Sequence, residues 1–164
     1  MAMEHRIEKM DSFRIVGVKM VTTNKEGKGM QDIPAFWGEL IQHNKQLEIV
    51  PLMNKAPFGL MGVNVYNTYD DDAYKFDYYI ACSTDQPVPE GMAEYTVPAL
   101  TWAIFPGKSD EVQKVMVGIV TEWLPTSGHE LVNTGYETGS MEGGAPDIEV
   151  YGEGDDVEIW VAIK

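Results

Sequence analysis

Apolar and polar positions divide the chain into short strand-like runs and two helix-like runs. Phe13 to Thr23 (FRIVGVKMVTT) is rich in β-branched residues and ends on the turn cluster NKEGKG, which predicts a strand. Ile33, Phe36, Trp37, Leu40, Ile41 and Leu47 then recur at three- and four-residue steps. That spacing predicts a helix, with Asp32 as its cap and Pro34 in its first turn. Phe58 to Asn67 and Phe76 to Ser83 read as two strands joined across the acidic tip TYDDDAYK, a hairpin. AEYTVPA and LTWAIFPG read as the next pair, with Pro98 at an edge or a bulge. Ser109 is placed to cap a second helix, whose apolar set is Val112, Val115, Met116, Ile119, Val120, Trp123 and Leu124; Pro125 and Gly128 end it. The glycine-rich stretch from Asn133 to Gly144 reads as a loop. Asp147 to Gly152 and Val157 to Lys164 read as the last two strands.

Strand, helix, strand, strand thus occurs twice, and the two copies can be laid over each other. Val63-Asn64-Val65-Tyr66 matches Ile148-Glu149-Val150-Tyr151 at an offset of about 85, Trp37 matches Trp123 at about 86, and Phe76 to Ser83 matches Val157 to Lys164 at about 81. We therefore expect an α+β fold: a tandem β-α-β-β repeat with pseudo-two-fold symmetry, in one domain over residues 1–164, with halves near 1–84 and 91–164. It would hold one antiparallel sheet of about eight strands, two helices on one face, and a ligand cleft. Alternation sorts the strand side chains. Ile148, Val150, Ile159, Val161 and Ile163 are expected to face the helices. Asp147, Glu149, Tyr151, Glu158, Trp160 and Ala162 are expected on the uncovered face, with Gly62, Asn64, Tyr66, Asp77 and Tyr79.

Charge narrows the function. The 164 residues carry 26 Asp and Glu against 12 Lys and Arg, a formal net charge of −14. Nucleic-acid backbones and anionic membranes select basic surfaces, so neither is an expected partner. One cysteine, Cys82, leaves no internal disulfide and no thiolate-rich metal site; in its strand it reads as a buried, inert thiol. No run approaches a membrane span and the start (MAMEHRIEKM) has no secretory h-region, so a cytoplasmic protein is expected. His5, His43 and His129 lack ligand spacing, and the strings GKG, GEG and EGG lack the strand-to-helix context of a phosphate loop; no metal and no cofactor is expected.

Seven strings in order, F-R-I-V-G-V, I-P-A-F-W, F-D-Y-Y-I-A, Y-T-V-P-A, E-W-L-P-T-S-G-H-E, P-D-I-E-V-Y and E-I-W-V-A-I-K, together resemble the GyrI-like family, the effector-binding domain of AraC-type and multidrug-sensing transcription activators. The resemblance covers nearly the whole chain. It implies a tandem β-α-β-β fold around a shared cleft that binds hydrophobic, often cationic or planar compounds, with an acidic residue on a late strand that matches Glu149. Some relatives resist gyrase poisons, and a subset hydrolyses cyclopropanoid DNA-alkylating natural products. Two departures stand out: His129 occupies a position that usually carries tyrosine, and no helix-turn-helix precedes the domain.

Glu149 is therefore the first candidate: a carboxylate among aromatic rings offers a cation both a charge partner and cation–π contacts. Tyr66, Tyr79, Tyr151 and Trp160 are candidate cleft walls. Asn64, Trp37, Trp102 and Trp123 are further ligand contacts, although the two helix tryptophans also fit a core role. The ten methionines suit an adaptable pocket. Three functions follow. The leading one is capture of hydrophobic, aromatic or cationic compounds for drug sensing or sequestration, with a regulator as a possible partner. The second is hydrolysis of a strained electrophile by Glu149, assisted by Tyr66 or Tyr151. The third is an acidic, DNA-like surface docking on gyrase, since residues 115–163 hold ten acids and no Lys or Arg.

Overall fold

A computed structural model describes residues 3–164. Eight strands form one sheet: β1 Arg6–Met10, β2 Phe13–Thr23, β3 Leu60–Val65, β4 Lys75–Ser83, β5 Ala93–Val97, β6 Leu100–Lys108, β7 Asp147–Tyr151 and β8 Asp156–Ile163. Their order is β1-β6-β8-β7-β3-β4-β2-β5, with every pair antiparallel. Exchanging β1 to β4 with β5 to β8 reproduces that order in reverse, so a pseudo-two-fold axis passes between β3 and β7. Val63 and Ile148, matched by the offset of 85, are direct partners in that central pair. The repeat predicted from the strings is therefore the symmetry of the sheet.

Two connections set the shape of the sheet. Only Asp11 and Ser12 link β1 to β2, and only Pro98 and Ala99 link β5 to β6. In each case the linked strands stand six positions apart in the sheet. Three Cα steps reach at most about 11 Å, whereas six strand spacings in a flat sheet measure about 29 Å. The sheet must roll until its ends nearly meet. Rolling closes a core of side chains from both halves, including Ile15, Met61, Val63, Tyr79, Trp102, Ile104, Ile148, Val150 and Trp160. No helix is needed to cover that face.

The helices pack on the outside of the roll, one over each half. α1 (Lys28–Gln42) lays Ile33, Phe36, Trp37 and Leu40 on Phe76, Tyr78, Ile80 and Cys82 of β4. α2 (Gln46–Ile49) is one further turn. α3 (Val112–Gly118) continues through a π-helical turn, Ile119–Trp123, into α4 (Leu124–Ser127). Its apolar side covers Phe105, Ile159, Val161 and Ile163. Pro125 has no N–H to donate back into the preceding turn, which accounts for the wide turn before it. Gly128, at φ 76°, ends the helix as expected.

Several expectations need correction. The face assignment is reversed on β3 and β7: Glu149 pairs beside Gly62 and Ile159 and points with Asn64 to the helix side, while Ile148 pairs with Val63 and Trp160 and turns into the roll. Alternation says which residues share a face; it does not say which face the helices take. Asp32 lies inside α1, where it accepts hydrogen bonds from Thr22 Oγ1 (2.8 Å) and Lys28 Nζ (2.9 Å) and ties helix to strand. Glu111, not Ser109, precedes α3. AEYTV and LTWAIFPGK are consecutive but not partners, since β5 pairs with β2, and β6 with β1 and β8. The charged strand β1 (RIEKM) was not foreseen. It is a mostly exposed edge, where charge replaces the apolar alternation that marks inner strands.

Candidate functional site

Because each helix covers one half of the sheet, β3 and β7 lie uncovered between them. A cavity of about 480 Å³ opens there, within the range of small-molecule sites. Its floor carries Asn64, Asp147 and Glu149, and its walls include Met30 from α1 and Met116, Val117 and Val120 on the α3 side. The glycine-rich loop closes one end with Tyr136, Thr138 and Met141. That loop is tied to the first repeat through Asn24 Nδ2 to the Gly139 carbonyl (3.1 Å) and Met141 N to the Ala73 carbonyl (3.1 Å).

Two carboxylates dominate the floor, each held by phenols. Tyr66 donates to Asp147 Oδ2 (2.9 Å) and Tyr136 to Oδ1 (2.8 Å), while Asn64 Nδ2 donates to Tyr66 Oη (3.0 Å). Tyr151 donates to Glu149 Oε2 (2.5 Å). Behind that pair, the Trp37 ring meets Tyr151 edge-on at 5.0 Å, and Trp37 Nε1 donates to Tyr78 Oη (2.8 Å). Gly62 makes room for this layer: a Cβ there would sit 2.2 Å from Tyr78 Oη and 3.6 Å from Glu149 Oε2. Among the described residues no donor reaches Glu149 Oε1.

The electrostatics follow from burial. Asp147 is pushed up to about 6, mainly by burial and further by the charge of Glu149, against the hydrogen bonds from Tyr136, Tyr66 and Asn133. Burial also raises Glu149, opposed by the Tyr151 hydrogen bond. Tyr66, Tyr136 and Tyr151 are held above the ordinary phenol range by burial and by the neighbouring carboxylates, so they remain donors at neutral pH. The lining contains Asp147, Glu149 and Glu137 and, among the described residues, no Lys, Arg or His. A desolvated anion is costly unless it is paired. This cavity holds negative charge that the chain itself does not neutralise.

Of the residues singled out from sequence, Glu149, Tyr66 and Asn64 line the cavity, and Tyr151 and Trp37 brace Glu149 from behind. Tyr79, Trp102 and Trp160 do not join them: they are buried on the opposite face, inside the roll. Tyr79 and Trp160 do lie on the face away from the helices, but that face is the interior of the roll, and the register that pairs Ile148 with Trp160 puts Glu149 on the other side. Trp123 packs against Phe105 (5.0 Å), with His5 (5.1 Å) and His129 (5.8 Å) against its ring, outside the cavity. Cys82 is fully buried, donates to the Ile49 carbonyl, and is raised to about 11 by burial. Among the described residues no group of three or more His, Cys, Asp or Glu could hold a metal ion, and no helix is long and apolar enough to cross a membrane. Tyr136, Tyr78 and Asp147 were not foreseen as site residues. Tyr136 lies in a loop without periodicity, and Tyr78 reads as one more core position of β4. Asp147 carried a signal in its i, i+2 relation to Glu149.

Residues 6–163 match the family model described as integron-associated effector binding protein. The chain belongs to this family. The GyrI-like resemblance in the seven strings agrees with it, and so do solved structures. A Staphylococcus aureus MU50 protein assigned to transcription regulation superposes with a TM-score of 0.78 at 20% identity, over 99% of each chain. The protein SAV2435, solved bound to tetraphenylphosphonium, gives 0.79 at 21% identity, over 99% of this chain and 94% of its own. The integron cassette protein VCH_CASS2 of Vibrio cholerae gives 0.63 at 18%, over 98% and 95%. At these identities the structures establish the shared fold. No curated protein is significantly similar to the chain in sequence.

Proposed function

We propose that this member of the effector-binding family captures an apolar or aromatic organic cation in the cleft between α1 and α3, with Glu149 as its counter-charge. The observation that carries the reading is the uncompensated negative charge of the cavity: among the described residues three acids line it and no base, and its other side chains are neutral. A ligand that is both greasy and positive satisfies the methionine and valine walls and the carboxylate floor together. Glu149 leads because Oε1 is free to accept while Tyr151 fixes Oε2. The tetraphenylphosphonium bound by SAV2435 is a ligand of this kind on the same fold. Capture would serve drug sensing or sequestration.

The test is a titration with tetraphenylphosphonium followed by tryptophan fluorescence, since Trp37 stands one ring behind Glu149. Glu149→Gln keeps an acceptor for Tyr151 and removes the charge. We expect at least about tenfold weaker binding, the loss of one partly desolvated ion pair. Equal affinity in both proteins would remove Glu149 from the account.

A further inference from the structure

The cavity floor holds one carboxylate more than a simple cation needs. Asp147 and Glu149 stand two residues apart on β7 and face the same side, which puts their Cα atoms about 7 Å apart. The pseudo-two-fold axis does not repeat them. Their counterparts on β3 are Gly62 and Asn64, which lie directly across as partners of Glu149 and Asp147. Both charges therefore come from one repeat, and the other repeat contributes space and an amide. Asn64 does not relieve Asp147 directly, because its Nδ2 donates to Tyr66.

We propose that the preferred ligand carries two positive centres roughly 7 Å apart on an apolar body, one for Glu149 and one for Asp147. This rests on the cation-binding reading above and specifies its ligand class. A monocation on Glu149 leaves Asp147 as a desolvated anion with only neutral donors, and attraction between unlike charges is strong where water is excluded. Each oxygen of Asp147 accepts one tyrosine hydrogen bond, and a carboxylate oxygen has capacity for a second. The groups that face Asp147 are Asn64 from β3 and Tyr66 just after it, Tyr136 and Asn133 from the loop, and Glu149 from its own strand; none is cationic. The helix residues lining the same cavity, among them Met30, Gln113 and Thr121, are neutral. Asp147 ionises at about 6, so its charge is present at neutral pH and lost toward pH 5.

The probes are a matched pair. The dication is a diaminobutane carrying one naphthylmethyl group, and the monocation is the same molecule with a methyl group in place of the terminal ammonium. In about 0.15 M salt, which screens the bulk charge of the chain beyond about 8 Å, we expect the dication to bind about tenfold tighter. Asp147→Asn should weaken the dication more than the monocation, and so reduce that advantage to about threefold or less. Equal affinity of the two probes for the native protein overturns the two-centre proposal and leaves single-cation binding standing. Binding of neither probe, with tetraphenylphosphonium also failing, overturns the proposed function itself. If Asp147→Asn does not fold, the native protein decides alone: the dication advantage must grow between about pH 5 and pH 7.5, and an advantage that is flat with pH sinks the role of Asp147.

Discussion

Replacing Gly17 by alanine will lower the stability of the fold by about 3 kcal/mol or more, at the upper end of what overpacking costs. A Cβ at Gly17 would stand 2.0 Å from the Ile80 carbonyl oxygen and 2.6 Å from the Ala81 Cα. Both atoms are backbone of β4, which is hydrogen-bonded to β2 on one side and β3 on the other. Neither can withdraw as a side chain would. The contact lies at one end of the rolled sheet, where β2 is also paired with β5, so the substitution acts on the curvature that closes the core. In a chain of this size the loss corresponds to a fall in Tm of about 6–12 °C. Gly38 provides the control: it is exposed within α1, nothing lies within 4 Å of its added Cβ, and alanine there should stabilise by about 0.5–1 kcal/mol. Thermal unfolding of both variants checks the pair. A Gly17→Ala protein that melts with the native one would mean that the strands are not so closely packed.

The second large effect is a gain. Asp147→Asn should make the empty protein more stable at pH 7.5, by up to about 3 kcal/mol, while weakening its preference for a dication. The ordinary value for Asp147 is 3.8, and in the folded state it is about 6. Between those values the folded chain binds a proton that the unfolded chain has already released, so stability falls as pH rises through the window. Above about pH 6 the carboxylate is ionised in both states and the folded protein carries the whole penalty, roughly 1.4 kcal/mol for each pH unit of the difference. Asparagine keeps an acceptor for the tyrosines without the charge. Toward pH 4 the unfolded aspartate also takes up its proton, and the gain should shrink to a small fraction of its value at pH 7.5. Tm measured for both proteins at about pH 4 and pH 7.5 tests this, and a gain of equal size at both would assign it to packing instead. A residue whose removal stabilises the fold and impairs binding is what a site kept for its ligand should contain.

How much of this was readable from the residues depended on the kind of signal. The repeat was, because Val63-Asn64-Val65-Tyr66 and Ile148-Glu149-Val150-Tyr151 share a register that the central strand pair preserves. The helices were, through the spacing of Ile33, Phe36, Trp37 and Leu40 and of Val112, Val115, Ile119 and Trp123. That Glu149 shares a face with Asn64 and Tyr66 was also readable, since alternation along paired strands carries it. The direction of that face was not. Ile148 and Val150 are as apolar as any helix-facing pair, but they belong to the interior of a rolled sheet, and the roll is dictated by two short connections whose meaning appears only once the strand order is known. Tyr79 and Trp160 were placed on one face with Glu149, and they lie on the opposite one with Ile148 and Val150. Tyr136 was beyond reach for another reason: it arrives from a loop, and its contact with Asp147 depends on how that loop crosses the cleft.

Charge selection by the cleft is the central claim, and two ions of nearly one shape and opposite sign test it most directly. Tetraphenylphosphonium and tetraphenylborate present the same four rings around a positive and a negative centre. Titrated separately into the native protein at about pH 7.5 and 0.15 M salt, the phosphonium should bind saturably at one site. The borate should bind at least about a hundredfold more weakly, since the lining offers it three carboxylates and no base. Comparable affinity for the two ions would contradict the account.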